Sequence, residues 1–158
     1  MAKSEKKSGR KSEKIRVLAL GLIDRGDRLF LSQGYDPLTQ ETFYRPLGGG
    51  VDFGETSRAA LQREFLEELQ AELQAIEYLG CLESLFDYDG KPCHEIIQLY
   101  RCEFVDPKLY QSEQVTFMEG DRQKTALWVS LEQLQSGVLK LYPKNLLALI
   151  QKTDISHP

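Results

Sequence analysis

Apolar and polar positions alternate along most of this chain, and the alternation lays out its elements. Residues 15–23 form an apolar, β-branched run that reads as a buried strand. Arg25-Gly26-Asp27 supplies a turn and residues 28–32 return as R-L-F-L-S, so the two segments read as a hairpin. Residues 34–41 are a polar loop broken by Asp36-Pro37, and residues 42–47 are a short strand running into Gly48-Gly49-Gly50. Thr56 and Ser57 offer hydroxyls for an N-cap and Glu55 suits the positive end of a helix, which runs on to Leu69. Strands follow over 75–83 and 94–104, separated by a loop with Asp87, Asp89, Gly90 and Pro92. Residues 106–121 read as polar and irregular, and 126–129 (A-L-W-V) as another strand. Ser130 caps a short helix over 131–135, and Pro143 opens a last helix through Gln151 that turns Leu146, Leu147 and Ile150 inward. Strands mixed with a few helices, without strict alternation, predict an α+β sandwich with a mixed sheet.

The first helix carries the chemistry. Each residue of a helix turns by about 100°. With Leu61 at zero, Phe65, Leu69, Leu66 and Ala59 fall between about 40° and 160°, one apolar arc expected to bury. Glu67, Glu64 and Glu68 fall between about 240° and 340°, on the opposite arc. Ala60, near about 260°, is expected to leave room there for a substrate. Such like-charged neighbours cost a helix a few tenths of a kcal/mol each, roughly, unless something cationic intervenes. Carboxylates in that number suit Mg2+ or Mn2+, bound together with waters and a substrate phosphate. Ions of this kind activate water and screen the charge that develops on a phosphate. A lone E-x-x-E-E is more often a solvated face, so the surrounding residues decide.

Residues 49–71 read G-G-V-D-F-G-E-T-S-R-A-A-L-Q-R-E-F-L-E-E-L-Q-A. This resembles the Nudix signature, G-x5-E-x7-R-E-U-x-E-E-x-G-U with U a bulky aliphatic. Gly49, Glu55, Arg63, Glu64, Glu67 and Glu68 fall in register, and Phe65 is close to the aliphatic position. Six fixed types at about one in fifteen each make chance agreement on the order of one in ten million per window, which excludes coincidence. The stretches 44–50 and 128–131 also look like the family. Two positions depart from it: Gln70 stands where the signature has glycine, and Ala71 where it has a bulky aliphatic. Gln70 must either take a left-handed conformation at a cost of about 1 kcal/mol or let the helix continue.

The resemblance implies an α/β/α sandwich with a mixed sheet over residues 14–158, and the signature as loop-helix-loop. It implies hydrolysis of a phosphoanhydride bond in a nucleoside diphosphate derivative, with Mg2+ as cofactor and Mn2+ as the alternative. Glu64, Glu67 and Glu68 would hold metal with the carbonyl of Gly49, and Glu55 would be an outer ligand or structural. Arg63 would pair with Glu64 or Glu55. Glu64 is the first candidate for general base, with Glu95, Glu113 and Glu119 as later alternatives. Arg45, Tyr44 and Tyr88 are the candidates for substrate binding, and Phe86 could stack on a base. The competing readings are a silent nucleotide-sensing module, from which box carboxylates are usually lost, and an RNA cap hydrolase.

Charge and composition narrow the partners. The whole chain is -4, yet residues 1–14 carry six Lys and Arg against two Glu, a net +4, which leaves -8 on the remainder. Residues 1–13 therefore read as a disordered basic tail, and an acidic body argues against duplex DNA as partner. A small nucleotide is the expected partner, and a homodimer is compatible with the sequence. No apolar run reaches the roughly 18 residues that span a bilayer, and Cys81, Cys93 and Cys102 form no C-x-x-C pair. Free thiols and the absence of a membrane segment point to the cytoplasm. With only His94 and His157, a zinc site is not expected.

Overall fold

A computed structural model describes residues 13–152. The basic tail expected over 1–13 lies outside the described residues except for Glu13. Two mixed sheets and a few helices make up the architecture, in the α+β class that the sequence predicts. One sheet has the order β5-β1-β7-β6, formed by β5 (Leu47–Gly50), β1 (Ile15–Leu22), β7 (Lys91–Phe104) and β6 (Leu73–Tyr88). The other runs β10-β4-β3-β9-β8, formed by β10 (Lys140–Leu141), β4 (Glu41–Arg45), β3 (Arg28–Asp36), β9 (Arg122–Ser130) and β8 (Gln114–Glu119), with β2 (Asp24–Arg25) paired to β3. β1 and β7 run parallel, as do β10 and β4, so each sheet is mixed.

The strands alternate their side chains between two cores, as period-two geometry requires. Leu18, Leu20 and Leu22 of β1 join one cluster with Leu131, Leu134, Leu146 and Ile150, which come from α3 (Leu131–Gln135) and α4 (Leu146–Lys152). Ala19 joins the other with Phe30, Trp128 and the buried face of α1 (Ser57–Leu69). Helices thus cover both sides of the strands. Leu146 and Ile150 are buried as expected, with Leu147 packed at the edge of the same cluster.

Several expectations need correction. β1 and β3 are not hairpin partners: the chain crosses from one sheet to the other at Ile23, whose carbonyl accepts from Phe30 N–H at 2.9 Å. The hairpin around Gly26 joins only β2 to β3. The polar loop expected over 34–41 shrinks to a turn over 37–40, because β3 continues to Asp36 and β4 begins at Glu41. Likewise β6 and β7 run up to a two-residue turn at Asp89-Gly90, where both φ angles are positive (50° and 72°) as a tight hairpin demands. The segment read as irregular contains α2 (Lys108–Gln111) and the whole of β8, whose Phe117 is buried.

Helix α1 begins as predicted, with Thr56 as N-cap accepting from Ala59 N–H at 3.1 Å. It ends at Gln70, which adopts the left-handed conformation (φ 52°) in place of the glycine. Its N–H donates to Leu66 O at 3.0 Å, and Ala71 N–H donates to Phe65 O at 3.2 Å. Replacing Gln70 by Gly should remove the steric cost of a Cβ in that conformation and raise stability by roughly 0.5–1 kcal/mol in urea denaturation. An unchanged or lowered midpoint would show that the turn holds no such strain.

Candidate active site

The docking of α1 differs from the expected wheel. Ala60, Leu61 and Phe65 are the buried residues, whereas Ala59 is exposed and Leu66 is 48% exposed. The inward arc is therefore centred near Leu61 and takes in the positions of Glu64 and Glu68, and Ala60 is core instead of an opening for substrate. Glu64 consequently faces the glycine turn, and Glu68 lies beside it at the cleft.

Glu64 is seated there by the absence of a side chain. A Cβ at Gly49 would stand 2.5 Å from Glu64 Oε1 and 2.6 Å from Oε2, closer than atoms can approach, so only glycine admits this carboxylate. Gly48 has φ 147° beside the backbone of Ala19, a second position that excludes other residues. Gly49 is thus the notch that receives α1, and Gly48 lets the strand lie against β1.

Arg63 organises the acids around it. Its Nε and Nη2 donate to Glu55 at 3.1 and 2.7 Å, a two-pronged grip, and Nη2 also donates to Gly50 O at 2.9 Å. Nη1 donates to Glu64 Oε1 at 3.0 Å and to Glu67 Oε2 at 3.3 Å. Glu55 accepts in turn from Asp52 N–H at 2.9 Å. The hydrogen bonds from Arg63, then that from Asp52, hold the Glu55 carboxyl below its usual range. The same bond to Glu55 raises the guanidinium above its ordinary value. Charge-assisted, bidentate contacts of this kind fix rotamers as well as charge.

The carboxylates do not all converge. Among the described residues no three acids, histidines or cysteines stand close enough to cage an ion, and Glu67 lies against Arg63 instead. Glu68 behaves differently: burial, then the neighbouring Glu119 and Glu64, push its carboxyl up to about 8, with Lys124 acting in the opposite sense. A partly buried carboxylate crowded by two others is short of positive charge, which is the condition a hard divalent cation would relieve. Glu64 and Glu68 beside Gly49 therefore fit such an ion in donor type. The Glu67–Arg63 contact that would have to yield is an exposed i,i+4 pair, holding by only about 0.3–0.5 kcal/mol.

A cleft of about 1100 Å3 opens from this corner, with Gly49, Glu68 and Glu119 at one end and Phe43, Phe86 and Tyr88 on its walls. Arg45 lines it and pairs with Glu95 at 3.2 Å, while Tyr88 donates its hydroxyl to Tyr35 O at 3.1 Å. Tyr44 points the other way from β4 and packs against the first core cluster, so it is not brought to the cleft. Glu119 lies beside Glu68 and pairs with Lys124, whereas Glu113 is 80% exposed and lies near Arg25. His94 contacts Glu83 at 3.2 Å. Arg122 and Lys124, which bring positive charge to the cleft, were missed. The signal was there: V-T-F-M-E-G-D-R-Q-K-T alternates on either side of Gly120 as a hairpin does.

The NUDIX domain family model matches residues 13–150. Among solved structures, a NUDIX hydrolase from Nitrosomonas europaea is similar at 16% identity and TM-score 0.59, over 89% of this chain and 88% of that one. The MutT NUDIX hydrolase from Burkholderia pseudomallei is similar at 24% identity and TM-score 0.59, over 88% and 98%. An ADP compounds hydrolase is similar at 18% identity and TM-score 0.58, over 90% and 74%. The chain belongs to the NUDIX domain family.

Alanine at Gly49 should drive the Glu64 carboxylate out of its groove. Activity is expected to fall by roughly 10–100-fold, the usual effect of disturbing a ligand's support, with a cooperative melt retained. Full activity in Gly49→Ala would mean that the position of Glu64 does not matter. Glu55→Gln should likewise lower kcat by roughly 10–100-fold, because it releases one prong of the Arg63 grip; an unaltered kcat would remove Arg63 from the organisation of the site.

Proposed function

We propose that this chain hydrolyses a phosphoanhydride bond in a nucleoside diphosphate derivative, with Mg2+ held by Glu64, Glu68 and, once released from Arg63, Glu67. The observation that carries this reading is Glu64 seated on Gly49 with Glu68 beside it, at the end of a cleft whose rim also carries Lys124 and Arg122. Acids without a cation would repel a pyrophosphate; acids that share a cation with it would bind it. When bound, the metal supplies positive charge for the phosphate oxygens and lowers the pKa of a water.

The chain's own groups do the rest. Arg63 donates to Glu64 Oε1 and orients the carboxylate, whose remaining lone pairs could take a proton from the attacking water. That makes Glu64 the first candidate for general base. Glu119 is the second, since it alone of the later acids lies beside Glu68 at the cleft, where Lys124 holds it. Glu95 is occupied by Arg45, and Glu113 faces solvent near Arg25. Lys124 and Arg122 stand where they can meet phosphate oxygens that the acids do not hold. A nucleoside diphosphate substrate is in keeping with the likeness to an ADP compounds hydrolase.

Incubation with nucleoside diphosphate derivatives and Mg2+, reading the released phosphorylated products, tests the proposal. Turnover should appear on addition of Mg2+ and vanish with chelator. In Glu67→Gln and Glu68→Gln it should drop below detection while circular dichroism keeps the native form. Wild-type rates in either variant would defeat the metal assignment.

A further inference from the structure

Away from the acidic corner the cleft is lined by Lys14, Arg16, Arg45 and Lys91 against only Glu13 and Glu95. This local surplus of cations stands on a chain that is -8 outside residues 1–14. Glu95, at 2% exposure, has a guanidinium near it from each sheet. Arg45 of β4 reaches it through contacts of 3.2 and 3.4 Å, and Arg16 of β1 is its in-register neighbour. One carboxylate therefore stands against two cations. Lys14, Arg16 and Lys91 make no ion pair among the described residues, whereas His94 is engaged by Glu83 and Lys124 by Glu119. Arg16 is on the inner side of its strand, sharing a face with Leu18 and Leu20, which line the same space. Cys93, also in the lining, registers its charge: burial and then Glu95 push the thiol up, with Arg16 acting in the opposite sense.

The strands set how far these groups stand from the acidic corner. Ala19 pairs with Gly49, and Arg16 lies three residues earlier on the same strand, about 10 Å away at about 3.3 Å per residue. Arg45 lies four residues before Gly49, no more than about 14 Å of extended chain. Both guanidiniums are thus roughly one nucleoside away, with the aromatic faces of Phe43, Phe86 and Tyr88 beside that path for a base. A quarter of the Arg45 side chain is open, so a phosphate arriving there meets the guanidinium before the carboxylate behind it, and the nearer charge prevails. Arg16 adds a second guanidinium with no carboxylate of its own, and the planar fork of each matches phosphate oxygens. We infer that Arg16 and Arg45, grouped around Glu95, form a second phosphate site. It takes a phosphate ester on the 3′ side of the nucleoside whose 5′ pyrophosphate lies at Glu64 and Glu68, with Glu95 positioning Arg45. The inference rests on the hydrolase reading only for which end of the cleft takes the pyrophosphate.

The test is equilibrium binding with Mg2+ present, comparing AMP and GMP with their 3′,5′-bisphosphates and with the dinucleotides pApA and pGpG. None of these contains a phosphoanhydride, so the outcome is independent of whether the protein hydrolyses one. The wild type should bind a form with the second phosphate at least about tenfold more tightly than its monophosphate, about 1.4 kcal/mol. A gain for the bisphosphate identifies a terminal ester as the ligand, and a gain for the dinucleotide a bridging one. Arg16 is exposed, so Arg16→Gln should fold normally and cut the gain to about twofold or less. Arg16→Lys, which keeps the charge without the fork, should fall between that variant and the wild type. Lys108→Gln removes a positive charge outside the cleft and should leave the gain in place. Equal binding with and without the second phosphate, tighter binding of the monophosphate, a full gain in Arg16→Gln, or the same loss in Lys108→Gln would each overturn the inference, as would no binding of any of these nucleotides.

Discussion

The carboxylate of Glu64 lies where a side chain on Gly49 would be, and the rest of the site follows from that contact. To seat one acid of α1 against a strand, the strand must give up its Cβ, and Gly48 must take a conformation that places its own missing Cβ against Ala19. The helix cannot then rotate to bury its most apolar arc. Leu66 stays exposed and Ala60 is fully covered, because the depth and angle of docking are set by a carboxylate in a groove, with hydrophobic burial following. Leaving one leucine half in water forgoes part of a contribution of about 1.5–3 kcal/mol. The fold accepts this loss at the place where chemistry is needed.

Arg63 is the counterweight to that arrangement. Placing Glu64 and Glu68 inward concentrates negative charge that a helix surface would otherwise disperse. Arg63 neutralises the outer part of the cluster through Glu55, Glu64 and Glu67, and its bond to Gly50 O ties the same guanidinium to the strand that receives the helix. Glu68 lies outside its reach, beside Glu119, and its raised carboxyl shows that the compensation stops short. The remaining imbalance sits in the corner open to the cleft. A site built for a cation differs here from a site built for stability: a stable surface would have a lysine in place of one of these acids.

The box was legible because its chemistry is encoded by residue type and spacing, which survive without knowledge of packing. So were the N-cap at Thr56, the choice posed at Gln70 and the inward face of the last helix. What failed was long-range. A three-residue turn at Gly26 looks the same whether its flanking strands pair or part into two sheets, and only the carbonyl of Ile23 reveals the crossing. The helical wheel ranked Ala59 and Leu66 as core by hydropathy, which cannot tell a carboxylate that is buried for function from one that is exposed. The strand at β8 was missed although Val115 and Phe117 alternate with polar neighbours, since the surrounding charges masked a short period. Tyr44 and Arg45 are adjacent in sequence and were taken together, yet a strand sends them to opposite sides.

The cleft itself is a product of the two-sheet topology that the sequence concealed. If β1 and β3 paired, Arg45 and Glu95 could not face each other from separate sheets, and the space between them would close into ordinary core. Because the chain crosses at Ile23, the sheets separate toward the tip, where Asp36 Oδ1 accepts from Leu38, Thr39 and Asp89 and so fastens the β3–β4 turn to the β6–β7 turn. The opening has a carboxylate cluster in need of cations at Gly49, and beyond its lining lies a carboxylate satisfied with backbone donors at Asp36. Between them Glu95 is satisfied by a guanidinium. Acids recur along the whole length of the cleft, and what distinguishes them is the partner each has been given. That distribution, with the shortage of positive charge confined to one end, gives the cleft a direction along which a nucleotide can be threaded.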